Sequence, residues 1–414
     1  MSSLNAVSRK VAALTLLATL VLSGCDKDSP SVTAPESEPT LASISTNTLL
    51  FLEVNAGAFH TCGVSLDSLA YCWGFNKEGM LGDGTTIDRS RPTPVARGLR
   101  FRQISPSDEH TCGVTTRQWV YCWGLNNKGQ LGTLTTFRRL TPIIIPRIQF
   151  REVNTGLWHT CAVTPSNLAY CWGYNASGQL GDGTTTNRPT PVLVGGGLRF
   201  RRVIAGGFST CGVTTSDEIY CWGQNMFGGL GNGTTTDRLK PVRVTGGSGF
   251  RQVITQGPST CGLKSDQRVY CWGLNDEGQL GDGTTTNRLT PVVVAGGFAF
   301  SQIAPGTGHT CGIVLTNRAY CWGDNFAGGL GDGTEIDRLT PIPVVGNIRF
   351  SGVSAGGSHT CGITTAKVVY CWGHNGVGQL GVGTNAGPER CNRLSAFDSG
   401  IPCSRRPLAV VGPS

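Results

Sequence analysis

The sequence has little of what long helices and most active sites draw on. Histidine occurs 6 times and methionine 3 times in 414 residues, and charged side chains make up 14% of the chain. So few charges beside 60 glycines exclude a mainly helical protein, because long helices are built from Ala, Leu, Glu and Lys and are destabilised by glycine. No G-x-S-x-G, H-E-x-x-H or phosphate-binding glycine loop is present. The expectation is therefore a non-enzymatic protein without a cofactor. Long basic runs are also missing. The net charge is +8, and setting aside Arg9 and Lys10 leaves about +6 without clustering along the chain, so no nucleic-acid partner is expected.

No apolar run is long enough to span a bilayer, which takes about 20 residues. The longest, Val11 to Leu22, follows Arg9 and Lys10 and precedes Leu22-Ser23-Gly24-Cys25. Basic region, apolar stretch and small-residue ending form an export signal over residues 1–24. The ending resembles the lipobox of bacterial lipoproteins, which implies that Cys25 is acylated and becomes the N-terminus; the alternative is an ordinary secretory signal. The expected location is exported and lipid-anchored at the cell envelope, with the membrane engaged through the anchor alone. Residues 25–47 are rich in Ser, Thr, Pro and Glu without an aromatic residue, a composition that cannot bury a core and reads as a tether. Such a segment spans roughly 25 Å as a random coil.

What the chain does have is repetition. Thr-Cys pairs begin at Thr61, Thr111, Thr160, Thr210, Thr260, Thr310 and Thr360, spaced 50, 49, 50, 50, 50 and 50 residues apart. Each copy runs F-x-x-V/I, then H/S-T-C, then Y-C-W-G-x-N-x-x-G-x-L-G, then a Thr- and Arg-rich stretch ending near P-x-x-V. A period near fifty marks a propeller or solenoid. Within a copy, short apolar runs such as Phe51–Val54, Thr61–Val64, Ala70–Trp73 and Pro94–Val95 alternate with Gly, Asn, Asp and Ser, which gives four strands per copy. The fold class is all-β, a seven-bladed β-propeller of about four antiparallel strands per blade over residues 48–414. Seven Trp (Trp73, Trp123, Trp172, Trp222, Trp272, Trp322, Trp372) and seven Phe from Phe51 to Phe350 are expected to fill the gaps between blades. No partial copy is left over, so the first and seventh blades should meet. A monomer is expected.

The repeat H-T-C-G…V-Y-C-W-G-x-N-x-x-G-Q-L-G, seen in Val369–Gly373 and Gln379–Gly381, resembles that of the regulator of chromosome condensation family from about Leu50 to Val411. The resemblance implies a seven-bladed propeller. In the eukaryotic members it also implies guanine-nucleotide exchange on a small GTPase, which the export signal and the lack of a long insertion in the third or fourth repeat oppose. The architecture is likewise similar to that of the bacterial β-lactamase-inhibitory propeller, which binds an enzyme through aromatic loops on one face.

Of 17 cysteines, one is Cys25. Fourteen form pairs ten residues apart: Cys62/Cys72, Cys112/Cys122, Cys161/Cys171, Cys211/Cys221, Cys261/Cys271, Cys311/Cys321 and Cys361/Cys371. Cys391 and Cys403 complete an even set. Each ten-residue pair brackets a hairpin turn and so faces across adjacent strands, within reach of a disulfide, and export places the chain in an oxidising compartment. Two competing arrangements are zinc ligation, whose close C-x-x-C spacing is missing, and buried free thiols, which pack as small apolar groups.

His60, His110, His159, His309 and His359 occupy one repeated position, with Ser209 and Ser259 in two copies; a group needed for chemistry is normally needed once, so these are expected to satisfy hydrogen bonds of their own blade. The G-D-G-T turns at Asp83, Asp182, Asp282 and Asp332 offer one carboxylate each, short of the acidic ladder of a calcium loop. In an antiparallel blade the loops after the first and third strands emerge on one face, and these are the segments that vary. They carry Phe59, Phe75, Trp158, Tyr174, Phe208, Met226, Phe227 and Phe326, a set of aromatics and Met suited to a protein-binding surface. Between Thr384 and Pro407 the last copy inserts about sixteen residues, expected to form a disulfide-pinned loop on that face or at its rim. The function indicated is a cell-envelope scaffold presenting this face to a protein partner. A glycan-binding propeller is the other reading, and its mark would be carboxylates unique to one blade.

Overall fold

The computed structural model describes residues 49–392 and 400–413. The export signal, Cys25, the tether and part of the insertion lie outside the described residues.

The first copy shows how the repeat becomes a blade. Its strands β1 (Phe51–Ala56), β2 (His60–Ser65), β3 (Ala70–Gly74) and β4 (Arg89–Pro94) form one antiparallel sheet in chain order. In F-x-x-V, Phe51 and Val54 are both buried although strand alternation would put residues three apart on opposite faces. A bulge between Phe51 and Glu53 supplies the extra residue that brings both to one side. The Phe51 ring then lies on Gly63 of β2, where a Cβ would come within 2.6 Å of it. The β2–β3 turn places Ser68 at φ 67°, and Ser65 N–H donates to the Leu69 carbonyl.

Six more such sheets follow, all built from consecutive sequence. The first strands contact one another in turn, blade to blade, and the first blade's contacts the seventh's, so the ring closes as expected. These innermost strands line a central channel of about 820 Å³.

Between blades, packing and polar bonds repeat together. Each core cluster joins the cysteines of one blade to the Phe and Trp of the next: Cys62, Cys72, Val64 and Leu81 pack with Phe101 and Trp123. Trp123 Nε1 donates to the Met80 carbonyl at 2.8 Å, and Gly82 (φ 70°) lies so close to that indole that a Cβ would approach Nε1 to 2.6 Å. The repeated histidine reaches through Nε2 to the next blade, contrary to the expectation from sequence of a partner in its own; only His110 also meets its own blade, Nδ1 standing 2.9 Å from Ser107 Oγ. His60 Nε2 meets Thr111 Oγ1 of the next blade at 2.8 Å, and the Thr111 hydroxyl donates to the Met80 carbonyl at 2.8 Å. Because that hydroxyl has spent its only proton, His60 must donate through Nε2 and leave Nδ1 bare. The closing junction uses the same parts, with His359 to Thr61 at 2.8 Å and Trp73 Nε1 to the Gln379 carbonyl at 2.9 Å. Where Ser209 replaces histidine, the Thr255 hydroxyl of the next blade reaches it at 3.1 Å and lies 3.0 Å from Thr260 Oγ1.

All seven ten-residue cysteine pairs form disulfides. Cys62–Cys72, Cys112–Cys122, Cys161–Cys171 and Cys211–Cys221 staple blades 1 to 4, and Cys261–Cys271, Cys311–Cys321 and Cys361–Cys371 staple blades 5 to 7. In every blade the two cysteines stand directly opposite each other on the second and third strands. Their Cα atoms lie 4.1 Å apart in each pair, so these sulfurs are neither free thiols nor zinc ligands. Cys391 bonds Cys403. The insertion is more than a pinned loop. Glu389–Cys391 pairs with Ile401–Ala409, the outer strand of blade 7, and gives that blade a fifth strand. Cys403 lies opposite His374, so this edge stands at the rim of the variable-loop face. Arg405 ties it down through Glu389 at 3.0 Å and Glu335 of blade 6 at 3.5 Å.

Candidate partner-binding face

Loops can vary in sequence only if something else fixes their backbone. After the third strand of the first blade, buried Asn76 does this: its amide nitrogen donates to the Thr85 and Ile87 carbonyls at 3.1 Å, and its oxygen accepts from Leu81 N–H at 3.0 Å. The Asp of the G-D-G-T turn completes the frame. Asp83 accepts from Thr85 N–H and pairs with Arg89 at 2.8 Å, and Asp182, Asp282 and Asp332 pair likewise with Arg188, Arg288 and Arg338. These hydrogen bonds and the arginine hold the carboxyls below the usual range against the opposing effect of burial. The turn carboxylates are thus committed to guanidinium and hydroxyl partners.

On this frame the eight selected side chains fall into three groups on one face, Met226 and Phe227 bordering the same depression as Phe208. Trp158 of blade 3 meets Tyr174 edge-on at 5.6 Å and Phe208 of blade 4 at 5.6 Å, and Tyr174 and Phe208 lie 6.2 Å apart. Such edge-to-face pairs each add about 1 kcal/mol beyond area burial. The Trp158 indole donates to Glu109 of blade 2 at 3.1 Å, and Lys128 stands 5.9 Å over Tyr174. Phe59 and Phe75 pair separately on blade 1, 6.3 Å apart, and Phe326 projects from blade 6. The single cluster expected from the sequence is therefore divided. Trp158, Tyr174 and Phe208 are each half-buried because their rings fill the junction of blades 3 and 4. Of the selected side chains, Phe59 (45% exposed), Met226 (57%) and Phe326 (40%) present the most free surface.

Beside the three-ring group, the channel opens on this face into a largely apolar well of about 330 Å³. Phe208 and Phe227 line it, together with Leu157, Gln224 and Pro258, which a search for aromatics and Met does not single out. Their only signal in the sequence is membership of the varying loops. Asp108 also borders the well; burial, with Glu109 next to it, pushes its carboxyl up to about 6. Asp324 on blade 6 is likewise raised by burial and by Asp337.

A rigid ring with apolar and acidic groups on one loop face defines the class: a β-propeller interaction scaffold. The chain belongs to the RCC1-like domain family, whose sequence model matches residues 22–346, and the model of the Regulator of chromosome condensation (RCC1) repeat matches residues 350–379. No curated protein sequence matches it. Among solved structures it is similar to Prp20p from Saccharomyces cerevisiae, with 17% identity over 88% of this chain and 87% of that one and a TM-score of 0.69. Human WBSCR16 shares 23% identity over 73% and 83%, with a TM-score of 0.67. At these identities the likeness shows the fold. Prp20p is described by its binding to Gsp1p and histones.

Proposed function

We propose that the protein is a non-enzymatic scaffold that captures a protein partner on the variable-loop face, as an exported monomer lipid-anchored to the cell envelope on its periplasmic or surface side. The observation that carries the reading is the Trp158–Tyr174–Phe208 group beside an apolar well of about 330 Å³. Partially exposed aromatics at the edge of a preformed apolar depression are what interface anchors require, and the Asn and Asp–Arg frame lowers the ordering cost of binding. Eight disulfides suit an oxidising compartment, in keeping with export and acylation at Cys25. Inhibition of an enzyme seated on this face is one concrete form of the proposal.

The double variant Trp158→Ala/Phe208→Ala should weaken partner capture from an envelope fraction by about 30-fold or more, the scale of a lost anchor pair, while the melting temperature of the ring changes little beyond the loss of the ring contacts. Capture equal to wild type, scored by mass spectrometry against a Leu315→Ala control on the opposite face, would refute the placement of the interface.

A further inference from the structure

No basic run exists in the sequence, yet the fold gathers arginines from separate repeats on the face opposite the variable loops. That face carries the turns after the second and fourth strands and the starting ends of the first strands. Around the channel mouth there, Arg102, Arg151, Arg201 and Arg251 line the channel from four consecutive blades. Each laps onto the next: Arg102 donates to the Arg151 carbonyl, Arg151 to Phe200 at 3.3 Å, Arg201 to Phe250 at 2.9 Å and Arg251 to Phe300 at 3.0 Å. A guanidinium has five N–H donors, so these contacts fix the side chains without exhausting them.

Farther out, Arg97, Arg117 and Arg147 are exposed and make no side-chain hydrogen bond or ion pair among the described residues. Two of them break a local rule. Arg97 (φ 78°) and Arg147 (φ 74°) occupy the left-handed position of the turn after the fourth strand, where the next four blades have Gly196, Gly246, Gly296 and Gly346. A bulky residue there is unfavourable, and neither side chain gains a partner within the ring for it.

The chain enters the ring on this same face. Leu49, the first described residue, precedes β1, and Leu50 accepts a hydrogen bond from Leu66 in the β2–β3 turn. We propose that this arginine-rich face lies against an anionic lipid surface, so that the acyl chain and the basic face act together and the aromatic loops point away from the bilayer. The inference rests on the reading of Cys25 as a lipid anchor. An acylated Cys25 would hold the chain at the bilayer without fixing which face of the ring meets it, whereas each Lys or Arg near an anionic surface adds about 1 kcal/mol and so orients the ring.

The test uses the mature chain, residues 25–414, carrying Cys25→Ser, with vesicles of phosphatidylglycerol and phosphatidylcholine. Each basic side chain near an anionic bilayer contributes about fivefold to partition, so Arg97→Asn/Arg117→Gln/Arg147→Asn should lower it on the order of 100-fold. Asparagine suits the left-handed positions, and near-ultraviolet circular dichroism checks the ring. Binding should vanish on pure phosphatidylcholine and fall steeply between about 0.05 and 0.5 M salt, as screening predicts, with the Debye length shrinking from about 14 to about 4 Å. Equal binding to neutral vesicles, a triple variant that binds like its parent, or tighter binding to duplex DNA than to the anionic vesicles would each overturn the proposal. The anchor is read separately: acylated wild type should stay on membranes through a high-salt wash that releases the Cys25→Ser chain. Loss of that difference refutes the anchor alone.

Discussion

Acidification from pH 6.5 to 5 should destabilise the ring by an amount that the buried histidines set. Burial pushes His60, His110, His159 and His359 down to about 3 and His309 to about 4. The geometry gives the reason: Nε2 already donates to a threonine, and in His60, His159 and His359 the buried Nδ1 has no partner, so a second proton would have nowhere to bond. The native histidines stay neutral through this interval, while in the unfolded chain they titrate near 6.5. A folded pKa below the unfolded one leaves stability intact above pH 6.5 and removes it as pH falls, because only the unfolded state takes up the protons. Raised carboxyls oppose this, Glu53 and Asp108 the most. Glu53, raised to about 7 by burial, and Asp108, raised to about 6, bind protons in the native state that the unfolded chain would still release. Averaged over the interval, the unfolded chain gains roughly four protons on the five imidazoles and the native ring roughly one and a half on the carboxyls. The difference amounts to about 3 kcal/mol per pH unit, or about 5 kcal/mol in all. Urea melts followed by fluorescence of the buried tryptophans at pH 5, 6 and 7 give this slope directly. His159→Ser, which installs the residue found at Ser209 and Ser259, should lower the slope by about 1 kcal/mol per pH unit, whatever it does to the stability at pH 7. A midpoint independent of pH between 7 and 5, or an unchanged slope in the variant, would refute the reasoning.

Two further outcomes follow from the junctions and the staples. Removing one hairpin disulfide by Cys112→Ser/Cys122→Ser releases a loop of 10 residues and should cost about 3 kcal/mol by loop-closure entropy; thiol titration of the denatured, unreduced ring should find no free cysteine in residues 62–403, and more than one or two per chain would contradict the pairing. Thr255→Val deletes the hydroxyl that stands in for a histidine between blades 4 and 5 and leaves Ser209 Oγ unpaired in a buried site, a loss of about 1–3 kcal/mol, whereas Thr255→Ser should cost well under half of that in the same melt.

Recurrence and variation divide the labour in this molecule. The recurring His, Thr, Trp and Cys act at blade junctions and hairpins, where every copy faces the same problem of burying a sheet against its neighbour. The non-recurring residues stand at loop tips and turns, where the Asn76-type hubs and the Asp83–Arg89 pairs keep the backbone constant whatever side chain is presented. Guanine-nucleotide exchange as in the eukaryotic family would use the same ring, and the comparison with Prp20p supports the ring alone.

The sequence by itself determined the blade count, the four strands of the repeat, the seven hairpin disulfides and the tryptophan packing, because these follow from a period repeated seven times and from spacing within a hairpin. It also determined which loops share a face, since antiparallel alternation admits no other outcome. Only the tertiary structure decided that the histidines reach forward to the next blade, since a bond between copies about fifty residues apart looks in sequence the same as one within a copy. It decided too that the aromatic residues divide into three groups, because ring packing depends on which blades adjoin and not on which loops vary. The basic face lies between the two: alternation already puts the turns of Arg97, Arg117 and Arg147 on one side, and only the tertiary structure decided that these side chains stand exposed there, two of them at left-handed backbone positions.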